Sequence, residues 1–182
     1  MQTAMMVRVA LMAALTAVSA QIVIPLPFSP VPFTLQVPVV ILSGLLLGVR
    51  YGALAQLVYV LIGAVGAPVF ALFSGGLGVI LGPTGGYLMA YPLAAAVAGL
   101  AAGAAVGSNR RRALAFCGGA GLGALAIIYA GGVLWLSFQT QLPLGVAVVQ
   151  GVLPFVVFDL VKVAVAALTA TATAPQIAPA RS

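Results

Sequence analysis

Apolar stretches long enough to cross a membrane, broken at few points by charge, proline or glycine, set the pattern of this chain. A helix needs about 20 apolar residues to span the hydrocarbon core. Spans are predicted near 4–21, 38–49, 51–67, 84–107, 112–137 and 146–170. The second and third are short and are parted only by Val49, Arg50 and Tyr51. Gly48 and Gly52 flank Arg50, and glycine opens the backbone where an unpaired cation at mid-membrane would be costly. A tight hairpin is expected there, with one long buried segment as the competing parse.

The connections on one side are irregular but still apolar. Between Pro25 and Pro38 the chain reads PLPFSPVPFTLQVP, with five prolines in fourteen residues, which forbids a regular helix. A second stretch, Gly66 to Gly86, is rich in glycine, and a third runs from Ser137 to Gly145. Non-helical backbone at membrane depth is tolerated only against protein or a water-filled cavity. The first two connections therefore read as loops that dip back and cap a pocket; rigid interfacial turns without a ligand are the alternative. No internal repeat is evident. Residues 1–170 form one membrane domain, and 171–182 read as a flexible Thr/Ala/Pro tail.

Composition fits the pattern. Hydrophobic residues make up 64% of the chain and charged residues 4%, against about a quarter charged in soluble domains. The net charge of +6 comes from scattered cations at the ends of apolar segments, which excludes a nucleic-acid groove. Arg8, Arg50, Arg110 to Arg112 and Arg181 fall on one side if there are six spans, and the positive-inside rule makes that side cytoplasmic. Both termini are then cytoplasmic. The opening run after Arg8 also resembles a signal peptide ending at VSA, but a retained first span keeps the span count even. With no His, one Asp and one Cys, neither a metal site nor a nucleophile–base pair can be assembled. No nucleotide motif occurs. Enzyme activity and a cofactor are not expected, and an ATP-driven step needs a partner.

The candidate chemistry centres on Asp159, the only acidic residue, and Lys162 three positions later in LPFVVFDLVKVAVAAL. Residues i and i+3 share a helix face. A charge at membrane depth is expensive unless it is paired or lines a cavity. The pair reads as part of a site for a small polar ligand, with a structural ion pair or a proton relay as alternatives. Pro154 is expected to kink the last span and free a backbone carbonyl. GPTGGY, Gly82 to Tyr87, opens the fourth span with Thr84 as expected cap, either holding an anion or carbonyl or merely making a turn and tight helix packing. Gly75, Gly76 and Gly78 invite close approach by a ligand or by another loop. Tyr87 and Tyr91 share a helix face, and Tyr87 and Trp135 suit either a pocket wall or interfacial anchoring. Gln36, with Gln139 or Gln141, suits an amide-like or urea-like group. Gln56, Gln150 and Tyr59 need intramembrane partners, for which helix-to-helix bonding suffices. Ala10 with Ala14, and Ala13 with Ala17, form small-xxx-small pairs on the first span.

Together these stretches resemble the BioY family, the biotin-binding substrate-specificity (S) components of energy-coupling factor (ECF) transporters. The resemblance rests on SPVPFTLQ at Ser29 to Gln36, LLLG followed by Arg50 and Gly52, a segment ending in APVF at Phe70, SGGLGVILGPTGGYL at Ser74 to Leu88, and PFVVFDLVK at Pro154 to Lys162. It covers about residues 4 to 170. It implies an all-α integral membrane protein of six transmembrane helices, with loops capping a pocket on the extracytoplasmic side of a bacterial cytoplasmic membrane. It implies high-affinity biotin binding and uptake, with a transmembrane coupling subunit and two cytoplasmic ATPases as partners. The implied ligand contacts are Gly75, Gly76, Thr84, Gly86, Tyr87, Asp159 and Lys162, and the implied docking face is Ala10, Ala14 and Ala17. Two positions depart from the family pattern: Ala67 stands where Leu is familiar, and Phe158 where Gly often precedes the Asp. A self-sufficient carrier without an ATPase, and a ligand-free structural subunit, are the remaining alternatives.

Overall fold

The computed structural model describes residues 2–107 and 109–177. In chain order these form α1 (Gln2–Ala20), β1 (Val23–Ile24), β2 (Phe33–Thr34), α2 (Gln36–Ala64), a 3-10 turn at Ala71–Phe73, α3 (Leu77–Ile80), α4 (Gly85–Gly99), α5 (Ala102–Gly107), α6 (Arg110–Thr140), α7 (Leu144–Gly151) and α8 (Val156–Ile177). The helices α1, α2, α6 and α8 are long and apolar enough to cross a membrane. The chain is a multi-pass membrane protein of helical architecture. The antiparallel pairing of β1 with β2 folds the proline-rich connection into a small hairpin.

Helix α2 is two antiparallel arms. Gly48, at φ 80 and ψ 179, breaks the helical path in the middle. Gln56 Nε2 lies 2.7 Å from Ser43 Oγ, thirteen residues earlier, whereas a straight helix would hold those residues about 20 Å apart. Gln36 and Tyr59 meet in the same way across the arms. The hairpin parse is therefore correct, and Arg50 caps its exposed end. Gln56 also donates to Thr16 Oγ1 at 3.0 Å, which ties α1 to both arms and leaves the amide in a helix-to-helix role.

Two predicted spans are interrupted. The fourth is α4 and α5, parted by a turn at Leu100 and Ala101. The sixth is α7 and α8, parted at Val152 to Phe155 around Pro154. The carbonyl four residues before Pro154 is that of Gln150, and it accepts a hydrogen bond from Ser29 Oγ at 2.8 Å. The freed carbonyl expected from the sequence thus fastens the proline-rich connection to the break. The stretch read as a tail from Thr171 is helical as far as Ile177, and its end, including Arg181, lies outside the described residues.

The core forms where α4 lies between α2 and α6, with α8 packed on both α2 and α6. Small residues make these approaches possible. A Cβ on Gly44 would strike the carbonyl of Ala95 and sit 2.7 Å from Ala98 Cβ. The turn at Gly48 and Val49 lies against Gly99, so the Arg50 end of α2 and the C-terminal end of α4 share one end of the bundle. Trp135, near the far end of α6, donates to Gly82 O at 2.9 Å beside the start of α4. Arg110 to Arg112, which open α6, therefore lie at the Arg50 end, and the irregular connections lie at the other.

Adding a side chain at the α2–α4 contact should be destabilising, because overpacking a close-packed interior costs about 1–3 kcal/mol or more. Gly44→Val is expected to lower the thermal midpoint in detergent, whereas Gly119→Ala, where a Cβ meets nothing within 4 Å, leaves it unchanged or slightly higher. Equal midpoints for the two variants would contradict this packing.

Candidate ligand-binding site

A cavity of about 230 Å³ sits at the end of the bundle opposite the arginines. Both irregular connections roof it: Pro30, Val31 and Pro32 from the first, and Phe70 to Leu72 with Ser74 from the second. Its walls are Tyr87, Leu88 and Tyr91 on α4 and Ile128 and Tyr129 on α6, and its polar lining comes from Thr34, Gln36, Thr84, Asp159 and Lys162.

Asp159 and Lys162 lie one helical turn apart on α8. Lys162 Nζ is 2.7 Å from Asp159 Oδ1, and both residues are buried. Burying such a pair is favourable only when the remaining donors and acceptors are satisfied. Tyr129 donates its hydroxyl to Asp159 Oδ2 at 2.7 Å. Lys162 donates to the backbone carbonyl of Thr34 at 2.7 Å and stands 3.7 Å above the centre of the Phe33 ring. A cation over an aromatic face gains about 0.5–2 kcal/mol, more when desolvated. Phe158 meets Phe33 edge-on at 5.5 Å and is largely exposed, so this departure from the family pattern buttresses the ring under Lys162 and does not line the cavity.

A second polar chain runs along the adjoining wall. Thr34 Oγ1 donates to Gln36 Oε1, Gln36 Nε2 donates to Tyr59 OH at 2.7 Å, and Tyr59 donates to Val69 O. This orients the Gln36 amide at the cavity edge. Tyr59 stacks on Tyr91 and meets Phe70 edge-on. Tyr87 donates to Gly151 O at 2.9 Å, a carbonyl at the α7–α8 break, and its ring packs against Gly132.

The structure brings Gln36, Thr84, Tyr87, Asp159 and Lys162 to one cavity, and it places Gly75, Gly76 and Gly86 elsewhere. A Cβ on Gly86 would meet Trp135 Cβ and Gly131 O, so this glycine serves the contact of α4 with α6. Gly75 backs onto the carbonyl of Ala67, and Gly76, at φ 93, donates to Gly63 O at 2.7 Å. Gly76 holds the second connection against α2, and Gly75 lets that connection fold back on itself: the close approach expected of them is by backbone. Thr84 stands at the N-cap of α4 without a capping hydrogen bond from its side chain, a correction of the expected cap. Trp135 faces an outer groove with Phe138, not the cavity. Gln141 bonds Phe138 O instead of joining the site. Ala10 and Ala14 are exposed on α1, while Ala17 is partly buried against the core.

Sequence reasoning missed Tyr129, Phe33 and the Thr34 carbonyl. Tyr129 carried a usable signal: a phenol in the middle of an apolar span needs a partner. The Thr34 carbonyl carried none, because its role depends on the turn that the proline-rich segment makes.

The BioY family model matches residues 1–179. The chain is 47% identical over 165 residues to "Biotin transporter BioY" of Thermotoga maritima, covering 91% of this chain and 92% of that one. It is 47% identical over 162 residues to "Probable biotin transporter BioY" of Pyrococcus horikoshii, covering 89% and 91%. Among solved structures, an S-component for biotin from an ECF-type ABC transporter superposes with a TM-score of 0.83 at 26% identity, over 94% of this chain and 90% of that chain.

Hydrogen bonds to charged groups contribute about 1.5–3 kcal/mol each. Tyr129→Phe is expected to destabilise the ligand-free protein by that amount in reversible detergent unfolding. A change below about 0.5 kcal/mol, the usual size for a surface substitution, would show that the phenol does not support the carboxylate.

Proposed function

The chain belongs to the BioY family, and from that premise we propose that it captures biotin from outside a bacterial cytoplasmic membrane as the S component of an ECF transporter. The observation that carries this reading is the unused bonding capacity of the buried pair. An ammonium has three donors, and Lys162 uses one on Asp159 and one on Thr34 O. A carboxylate offers about four lone-pair positions, and two of those on Asp159 are engaged, by Lys162 and Tyr129. Both residues line the cavity. The remaining donor and acceptors match a neutral group that carries a carbonyl between N–H groups. The ureido ring of biotin is such a group: its carbonyl faces Lys162 and its N–H groups face Asp159. The fused rings lie between the aromatic walls of Tyr87 and Tyr91. The valerate carboxylate points to the loops and the start of α4 near Thr84, with Gln36 at the cavity edge. Gly75, Gly76 and Gly86 shape this site through the loops and helices they allow to approach.

Six crossings follow if the arms of α2 count as two, α4 with α5 as one, and α7 with α8 as one. The arginine end then faces the cytoplasm under the positive-inside rule, the cavity opens outward, and both termini are cytoplasmic. Helix α1 reads as a retained first span, a reading supported by the hydrogen bond from Gln56 to its Thr16. The exposed Ala10 and Ala14, continuing to Ala17, let another helix approach closely and form the docking face for the transmembrane coupling subunit. Two cytoplasmic ATPases drive the cycle through that subunit. The protein itself binds and releases ligand without catalysing a reaction.

Calorimetric titration of the detergent-purified protein tests this reading, with thiamine and riboflavin as controls. Biotin alone is expected to bind. Asp159→Asn should weaken biotin binding by about 100-fold, or roughly 2.7 kcal/mol, while the protein stays folded. Unchanged affinity would remove Asp159 from the site. Loss of folding together with binding would favour a purely structural pair.

A further inference from the structure

The segment from Phe70 to Ser74 has an unusual backbone. Phe70 N donates to Ser74 O at 2.9 Å, which closes a tight loop, and Ser74 bonds Ala71 O through both its amide and its hydroxyl. Inside the loop Leu72 and Phe73 adopt φ 59 and φ 54. Bulky residues in the left-handed region are strained, and glycine is the usual occupant. Packing does not compensate, because Leu72 is 61% and Phe73 72% exposed. An outside hold is required.

Gln21, the residue after α1, supplies it. Its Nε2 donates to Phe70 O at 3.0 Å, and its Oε1 accepts from Phe73 N at 2.9 Å. One side-chain amide therefore clamps both ends of the strained arc from 49 and 52 positions away in the sequence. Four of the five loop residues line the cavity; Phe73 and Gln21 do not. Leu72 both lines the cavity and is exposed, so the loop separates the ligand space from the outside.

We propose that Gln21 is a positioning residue for ligand retention: its amide latches the strained loop at Phe70 to Ser74 over the cavity and so sets how slowly ligand leaves. This rests on the biotin-binding reading above and adds a residue that touches no ligand. The latch also joins the exit of the cavity to α1, whose exposed face is the one assigned to docking.

Two readouts test the latch. The first is stopped-flow or surface-based dissociation of biotin from the purified full chain. Gln21→Ala removes both hydrogen bonds to the loop and is expected to speed dissociation by about tenfold or more. Adding Phe73→Gly, outside the cavity, should recover much of the slow rate, because glycine accepts the left-handed conformation without a latch. The second is amide hydrogen exchange in the ligand-free protein, where Gln21→Ala should speed exchange at Phe70 and Phe73 while α2 and α4 remain protected. Dissociation within twofold of wild type, or an acceleration that Phe73→Gly fails to reduce, overturns the proposal. Unchanged exchange at Phe70 and Phe73 overturns it as well. If the wild type binds no biotin, the functional reading fails and the exchange measurement alone decides the latch.

Discussion

A single carboxylate buried in an apolar bundle must be surrounded by partners, and that requirement organises much of this protein. Asp159 receives Lys162 from its own helix and Tyr129 from α6. Lys162 in turn needs acceptors, and it takes one from β2 in the proline-rich connection. A two-residue strand in an otherwise irregular connection thereby becomes a ligand of the ion pair. The Coulombic attraction alone would not repay desolvating two charges. The surrounding hydrogen bonds and the Phe33 ring complete the balance, and the bonding positions left over are what a polar ligand can use.

The same need to satisfy polar backbone explains the architecture around the cavity. Pro154 removes a helical bond and leaves the Gln150 carbonyl for Ser29. The neighbouring Gly151 carbonyl is taken by Tyr87, which fixes the position of an aromatic wall. The break between α7 and α8 and an irregular loop are thus stabilised by each other, without a continuous helix. The close contact of α2 with α4, made possible by Gly44 and Gly99, holds the walls at a fixed spacing behind the site.

Much of this was legible in the sequence. The hairpin in α2 could be read because Gly48, Arg50 and Gly52 together made a continuous buried helix unfavourable. The floor of the cavity could be read because there is only one acid, and it sits next to a base in an apolar context. The glycines were harder. Whether Gly86 faces a ligand or a neighbouring helix depends on the rotation of α4 against α6, which local pattern does not encode. Gly75 and Gly76 likewise serve loop backbone. Tyr129 and Gln21 act across 30 and about 50 residues of chain, so their roles depend on tertiary contacts. The break at Leu100 and Ala101 also falls in an alanine-rich run that favours unbroken helix.

The most direct measurement is a structure of the protein with biotin bound. The expected result is the ureido ring inside the cavity, its N–H groups within hydrogen-bond distance of Asp159 and its carbonyl within reach of Lys162. Biotin seated elsewhere, with Asp159 and Lys162 still engaged only by Tyr129, Thr34 and each other, would contradict the assignment of this pair as the recognition element.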